Sequence, residues 1–228
     1  LGDKKMKIYL LLAIFAVVVC SFAVSPTEAV SGVDVSQLTY ISNFQCMKSN
    51  GYTFAIVRCF RSGGSTDPSC AHSVSNAWSS GMKHVDLYFF PCVSCGNPAG
   101  QVSKLKSYIN QYNIKFGQVW LDIENYAWSS STSSNQKFFE ELANAAKSTW
   151  GRSKVGVYTS EYNWHTIMGT SYTGGKDYPL WYAHYQSPPQ PNFNDFKSFG
   201  GWTRPNMKQY AGDVTLCSAG TDLNWYPN

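Results

Sequence analysis

The sequence predicts an α/β protein: an irregular single-domain (β/α) barrel of about eight strands, with helices mainly in the first half of the chain. Short apolar runs rich in β-branched and aromatic residues alternate with helical patterns up to about residue 160, which is typical of a parallel sheet with crossover helices. The runs are apolar throughout, so both faces of the sheet should be buried. A length of 228 residues without an internal linker fits one such barrel.

Eight runs are predicted to be strands. They are residues 32–35, 53–60, 85–90, 118–123, 155–159, 180–185, 207–210 and 221–225. Four helices are predicted between the first five strands. The first helix is predicted to end at Gly51, and the second to begin at Asp67-Pro68, where Asp67 is the predicted N-cap. The third is indicated by the helical spacing of apolar residues over 102–109, and the fourth by a serine-rich start and an end at Gly151. Beyond residue 159, prolines and glycines interrupt the connections, and no amphipathic helix is predicted there.

Residues 1–29 have the pattern of a secretory signal peptide preceded by a few upstream residues. Three lysines precede an apolar run of about twelve residues, and small residues allow cleavage after Ala23 or Ala29. The run is shorter than the roughly 20 residues that a membrane-spanning helix needs. We therefore expect no membrane span, and a protein secreted to the cell exterior or to a lysosome-like compartment, with residues 30–228 forming the barrel.

Six of the seven cysteines lie outside this segment, and in an oxidising compartment they predict three disulfides. We expect Cys46 to pair with Cys217, because barrel closure brings the first helix near the last strand. Cys92 and Cys95 form a lone CxxC motif, which is a weak signal for zinc or for redox chemistry. The four histidines show no ligand spacing, and neither a metal nor another cofactor is predicted.

The charge pattern limits the kinds of molecule that the protein is expected to bind. The formal net charge is +4, and the chain contains no dense run of lysine and arginine, so nucleic-acid binding is not expected. A mildly basic surface favours approach to an anionic surface such as a bacterial wall. Aromatic residues make up 16% of the chain, which suits either a packed core or a site where rings stack on a ligand.

Carboxylates within and beside the apolar strands are the main functional signal. They are Asp34, Asp122, Glu124 and Asp222, and a charge in such a run is costly unless it is paired, bound or functional. Asp122 and Glu124 are two residues apart, so on a strand their side chains project to the same side. One can hold a proton while the other stays ionised, as glycoside hydrolysis requires. A structural pair held by basic or backbone groups is the alternative.

Motifs around these acids resemble glycoside hydrolase family 25, the Chalaropsis-type lysozymes or N-acetylmuramidases, from Gly32 to Tyr226. The likeness is carried by GVDVS at 32–36, FAIVR at 54–58, LDIE at 121–124, LWYAHY at 180–185, KQY at 208–210 and TDLN at 221–224. The cysteines are similar to those of eukaryotic secreted members.

The resemblance implies cleavage of the β-1,4 bond between N-acetylmuramic acid and N-acetylglucosamine in bacterial peptidoglycan. We expect the protein to be a monomer. It implies that Glu124 is the general acid and that Asp122 stabilises the substrate's own 2-acetamido group as that group attacks the anomeric carbon. Asp34 and Asp222 would position the substrate and raise the pKa of the acid.

Sugar contacts are expected at the barrel mouth, where the carboxyl ends of the strands meet. The candidates are Tyr88, Phe90, Tyr126, Tyr158, Trp181 and Gln209, and for each aromatic residue a role in the core is the alternative. Two other functions stay open on the sequence: a catalytically weak carbohydrate-binding barrel and a hydrolase of chitin-type polymers.

Overall fold

Nine strands within residues 29–228, the part of the chain that this computed structural model describes, form one mixed sheet. They are β1 (Val30–Val35), β2 (Tyr52–Arg61), β3 (Ser65–Thr66), β4 (His84–Phe89), β5 (Val119–Asp122), β6 (Val155–Thr159), β7 (Leu180–Ala183), β8 (Met207–Leu216) and β9 (Ala219–Tyr226). The predicted signal peptide, up to residue 28, lies outside the described residues.

Eight of these strands close into a barrel, which confirms the predicted fold class. Pairing runs in the order β1, β2, β4, β5, β6, β7, β8 and β9, and β9 then pairs with β1. The neighbours from β1 to β8 are parallel, while β9 is antiparallel to both β8 and β1. All eight predicted strands are present.

The last strand, β9, is antiparallel to both of its neighbours, a direction that the sequence pattern did not indicate. Only Cys217 and Ser218 separate β8 from β9, and both have positive φ angles, of 53° and 62°. Such a two-residue turn makes a hairpin, whereas a parallel connection needs a crossover of about a dozen residues or more. The additional strand β3 pairs with the end of β2 and has only two residues, too few to produce a periodic signal.

Five α-helices are described around the barrel. They are α1 (Ile41–Ser49), α2 (Cys70–Ser79), α3 (Pro98–Gln111), α4 (Thr132–Trp150) and α5 (Glu161–Met168). The first four match the predicted helices, and Gly151, with φ 88°, ends α4 as expected. The predicted N-cap at Asp67 is wrong: α2 begins after Ser69. Asp67 Oδ1 instead accepts a hydrogen bond from the Ser69 backbone N–H at 2.9 Å and Oδ2 pairs with Arg58 at 2.8 Å.

Helix α5 contradicts the prediction that no helix follows residue 159. The Ser160 side chain caps it by accepting a hydrogen bond from the Asn163 backbone N–H at 3.0 Å. Its buried face consists of Trp164, Ile167 and Met168. Eight residues make little more than two turns, so the apolar positions repeat too few times for the period to stand out.

The inside of the barrel is filled by side chains. Six buried residues pack there: Phe54, Ile56, Trp120, Tyr158, Trp181 and Met207. A larger apolar cluster lies between the strands and the helices. Because the barrel has a packed interior, ligands have access only at its ends, and the mouth at the carboxyl ends of the parallel strands is where barrel enzymes place their sites.

Three disulfides join the six cysteines of the described chain, as predicted. Cys46 pairs with Cys217 across a separation of 171 residues, Cys59 pairs with Cys70, and Cys92 pairs with Cys95. The first bond ties α1 to the hairpin between β8 and β9. No helix among residues 29–228 is long and apolar enough to cross a membrane.

Candidate active site

All four predicted carboxylates lie at the same mouth of the barrel. Asp34 is next to the last residue of β1, and Asp222 on β9 faces it in register. Asp122 is the last residue of β5, and Glu124 follows two residues later. The structure thus brings together acids that lie up to 188 residues apart in the sequence.

The backbone around Glu124 is held firmly although it lies beyond the end of β5. Pairing with β6 continues through a hydrogen bond of 2.9 Å from the Ile123 N–H to the Tyr158 carbonyl. Thr159 Oγ1 donates to the Ile123 carbonyl at 2.8 Å, and Trp128 Nε1 donates to the Glu124 carbonyl at 2.6 Å. The position of the Glu124 side chain is therefore set by β6 and by the loop that follows it.

Asp122 and Glu124 form an acid pair in which each carboxyl group affects the pKa of the other. Burial raises the pKa of Asp122 well above its usual range, and the Glu124 charge adds to this effect. Burial also raises the pKa of Glu124, with a further contribution from Asp222. Asp122 Oδ1 is buried and has no hydrogen-bond partner within residues 29–228. Two such groups ionise together only at high cost, which favours a proton shared by the pair.

A second acid pair, Asp34 and Asp222, is bridged by one amide. Gln209 Nε2 donates to Asp34 Oδ2 at 2.8 Å and to Asp222 Oδ2 at 3.1 Å. Asn224 Nδ2 adds a hydrogen bond of 2.7 Å to Asp34 Oδ2. Burial, followed by the charge of Asp222, nevertheless raises the pKa of Asp34 to about 7.

The orientation of Gln209 is fixed by two hydroxyl groups. Tyr158 and Tyr185 donate to its Oε1 at 2.7 and 2.5 Å, which leaves Nε2 to face the carboxylates. Gln209 is only 2% exposed. It lies beneath the acids and orders them, while the groove above remains for the ligand.

The predicted aromatic contacts divide into two groups. Tyr158 and Trp181 are buried inside the barrel, where Trp181 Nε1 donates to Asn224 Oδ1 at 2.8 Å. Tyr88 is partly buried, and its ring meets the edge of Trp181 at a centroid distance of 6.4 Å. Phe90 and Tyr126 form a T-shaped pair at the rim, 5.8 Å apart, and Tyr126 is 58% exposed. Among these, Tyr88, Phe90 and Tyr126 offer surface to a sugar, and Tyr158, although buried, reaches the wall of the cleft beside Glu124.

A groove passes over the acids on both sides. On one side, a cleft of about 540 Å³ starts at Glu124 and is walled by residues of α5 and of the segment after β7, among them Tyr162, His184 and Tyr185. On the other side, a hollow of about 250 Å³ is lined by Asp34, Ser36, Gln37, Tyr88, Asp213, Gly220, Thr221 and Asp222. A groove that is open on both sides of its acids fits an internal bond of a long polymer.

Several residues of the site are absent from the sequence-based set. Asn224 and Tyr185 lie in motifs that the sequence singled out, and a search for amide and hydroxyl partners of the acids would have found them. The buried Lys208 also lies in such a motif, whereas Asp195, its partner at 2.6 Å beside the cleft, has no local signal because it lies in a proline-rich connection. No group of His, Cys, Asp and Glu suited to a metal ion occurs in the described part of the chain.

Comparison with known families agrees with this geometry. The sequence profile of the family described as Lysozyme-like protein 1 matches residues 25–210. The chain is 48% identical over 200 residues to Probable GH family 25 lysozyme 2 of Dictyostelium discoideum, an alignment covering 88% of this chain and 92% of the relative. It is 43% identical over 223 residues to Probable GH family 25 lysozyme 4 of the same organism, covering 98% and 100%.

Solved structures show the same fold. The family GH25 lysozyme from Aspergillus fumigatus superposes with a TM-score of 0.70 at 20% sequence identity, covering 88% of this chain and 95% of that chain. At this identity the likeness concerns the barrel architecture, and residue roles have to be argued from the site itself.

Proposed function

Since the chain belongs to the glycoside hydrolase family 25 lysozymes and is thus a glycoside hydrolase, we propose that it cleaves the β-1,4 bond after N-acetylmuramic acid in bacterial peptidoglycan. The observation that carries this proposal is the pair formed by the buried Asp122 and the cleft-lining Glu124 on the floor of a groove open on both sides. Such a groove accepts a polymer, and the pair supplies an acid at its middle.

Glu124 is the proposed proton donor because it is the member of the pair that lines the cleft. Its proton passes to the glycosidic oxygen as the bond from that oxygen to the anomeric carbon breaks. Burial raises the pKa of Glu124, so the side chain keeps its proton to a higher pH than a free glutamic acid does.

Asp122 is the proposed partner of the substrate's 2-acetamido group. An acetamido N–H that donates to the buried Asp122 carboxylate favours its ionised form and leaves the shared proton on Glu124. The acetamido oxygen attacks the anomeric carbon, and the Asp122 charge stabilises the positive charge that develops. Water then opens the cyclic intermediate with Glu124 as base, so the configuration is retained.

We further propose that the enzyme acts outside the cell, as residues 30–228, after removal of the signal peptide. Its three disulfides support this, because such bonds persist in oxidising compartments. Mass spectrometry of the secreted protein would test the proposed start near residue 24 or 30.

The test of the activity is the identity of the new reducing end. Purified bacterial walls are digested, the products are reduced with borohydride, and the reduced sugar is identified by mass spectrometry. Reduced N-acetylmuramic acid is the expected result, and NMR of the products before reduction should show the retained β configuration at the new reducing end. Reduced N-acetylglucosamine, or release of sugar from chitin alone, would contradict the assignment, and binding without release would indicate a carbohydrate-binding barrel.

A further inference from the structure

Three polar residues at or behind the wall of the cleft take no part in the mechanism above. His184 follows directly after β7, Asp195 lies in the connection between β7 and β8, and Lys208 is the second residue of β8. His184 and Asp195 line the same cleft as Glu124. Lys208 stands next to Gln209, the residue that bridges the acids.

Lys208 is a buried cation with one carboxylate partner. Its side chain is 0% exposed, and Nζ donates to Asp195 Oδ1 at 2.6 Å and to Gln186 Oε1 at 3.4 Å. Hydrogen bonds from Lys208 and His184 lower the pKa of Asp195 even though burial works in the opposite direction. A buried ammonium group is tolerated only with such pairing, so the ion pair fixes the position of Asp195 beside the cleft.

Asp195 in turn fixes the imidazole of His184. Its second carboxylate oxygen accepts the hydrogen bond of His184 Nδ1. The ring also stacks on Tyr182 at a centroid distance of 5.6 Å and an interplanar angle of 24°, and the His184 backbone N–H donates to the Gln209 carbonyl at 3.0 Å. These contacts leave the ring little freedom to turn.

The other ring nitrogen remains available to a ligand. His184 Nε2 has no hydrogen-bond partner within residues 29–228, and 45% of the side chain is exposed where it lines the cleft. Because Lys208 already compensates the charge of Asp195, the imidazole faces an ion pair of no net charge. A neutral imidazole that donates through Nδ1 carries its lone pair on Nε2 and accepts there.

We propose that His184 is a specificity-determining residue of the cleft, whose Nε2 accepts a hydrogen bond from a hydroxyl group of a sugar bound beside Glu124. Asp195 and Lys208 are positioning residues that hold the ring. The inference rests on the proposed function, because it takes the ligand of the cleft to be a wall glycan.

Two variants of His184 distinguish the contributions of its two ring nitrogens. The amide nitrogen of Asn overlays Nδ1, so His184→Asn keeps the hydrogen bond to Asp195 and loses the acceptor in the cleft. The longer His184→Gln side chain places its amide oxygen near the position of Nε2. His72→Asn, at an exposed position on α2 away from the groove, is the matched control.

The measurement is the dissociation constant of a soluble tetrasaccharide of alternating N-acetylglucosamine and N-acetylmuramic acid, determined by calorimetry in Glu124→Gln protein to prevent hydrolysis. His184→Asn should weaken binding about two- to tenfold, the loss expected for one neutral hydrogen bond. His184→Gln should recover most of it, and His72→Asn should match its parent. In the active protein, His184→Asn should raise KM by the same factor with kcat within about twofold.

Unchanged binding in His184→Asn would overturn the inference. Equal loss in both His184 variants together with a lowered Tm would also overturn it, since this pattern indicates a merely structural side chain. The two proposals fail separately. If the parent protein cleaves walls and the His184 substitutions leave the dissociation constant unchanged, only the role of His184 is wrong. If the substitutions change the dissociation constant but the parent protein cleaves no wall, only the proposed reaction is wrong.

Discussion

At the scale of single residues, the two members of the acid pair differ in their surroundings. Asp122 is 3% exposed and ends a strand, while Glu124 reaches the open cleft. The same spacing of two residues therefore produces one group that is shielded from water and one that can touch a leaving group. This difference in access assigns the roles, since burial raises the pKa of both groups.

Glu124→Gln keeps the shape of the side chain and removes its proton. Wall lysis should fall by a factor on the order of 10² to 10⁴, the usual range for general acid catalysis. Turbidity clearance measures the loss, and circular dichroism checks that the fold persists. Glu141→Gln, an exposed acid of α4, is the control and should retain activity. Lysis by Glu124→Gln within a few-fold of the parent would remove Glu124 from the role of acid.

Asp34→Asn should change how stability depends on pH. The pKa of Asp34 is about 7 in the fold and 3.8 ordinarily, so the folded state holds a proton that the unfolded chain has lost between these values. The parent should therefore lose stability as the pH rises from about 4 to about 7, by up to about 4 kcal/mol relative to Asp34→Asn. Urea denaturation at several pH values measures this difference, and the exposed Asp177→Asn should show none. A constant difference between parent and Asp34→Asn would show that Asp34 ionises normally.

At the scale of elements, some structure could be predicted from local pattern and some could not. The strands carrying Asp34 and Asp122 are apolar runs with one charge each, and both the strands and the placement of their acids at one mouth follow from barrel geometry. Gln209 contacts Asp34 across 175 residues of chain, and no local pattern encodes such a partner. The direction of β9 could not be predicted, because it is set by a two-residue turn that contains no glycine. Helix α5 could not be predicted, because it is too short for helical periodicity to be visible.

Helix α5 links local stability to the cleft, because its first turn supplies Glu161, Tyr162 and Asn163 to the wall. Ser160→Ala removes the cap and should cost about 1 kcal/mol, seen as a lower Tm in calorimetry. Ser107→Ala, at an exposed position inside α3, should be neutral or slightly stabilising because alanine is the better helix former. If both substitutions had the same effect, the hydrogen bond to Asn163 would not matter for stability.

At the scale of the whole molecule, the barrel depends on joining its first and last elements. The disulfide between Cys46 and Cys217 links α1 to the turn before β9 across 171 residues, whereas that between Cys92 and Cys95 spans three. Loop entropy predicts that the long bond stabilises more.

Replacing Cys46 and Cys217 together by Ser should lower the free energy of unfolding by about 2 to 5 kcal/mol in urea denaturation. The matched replacement of Cys92 and Cys95 should cost clearly less, because the chain segment it closes is short. A larger loss for the short bond would mean that native-state packing, and not chain entropy, determines the contribution of these disulfides.

The position of β9 between β1 and β8 also has a consequence for the timing of activity during protein synthesis. On the ribosome, a nascent chain that has not yet emerged beyond residue 219 lacks the strand that closes the barrel, and Asp34 then faces no Asp222. The amide of Asn224, which holds Asp34, arrives later still. Translation must therefore deliver almost the entire barrel before the four carboxylates can assemble.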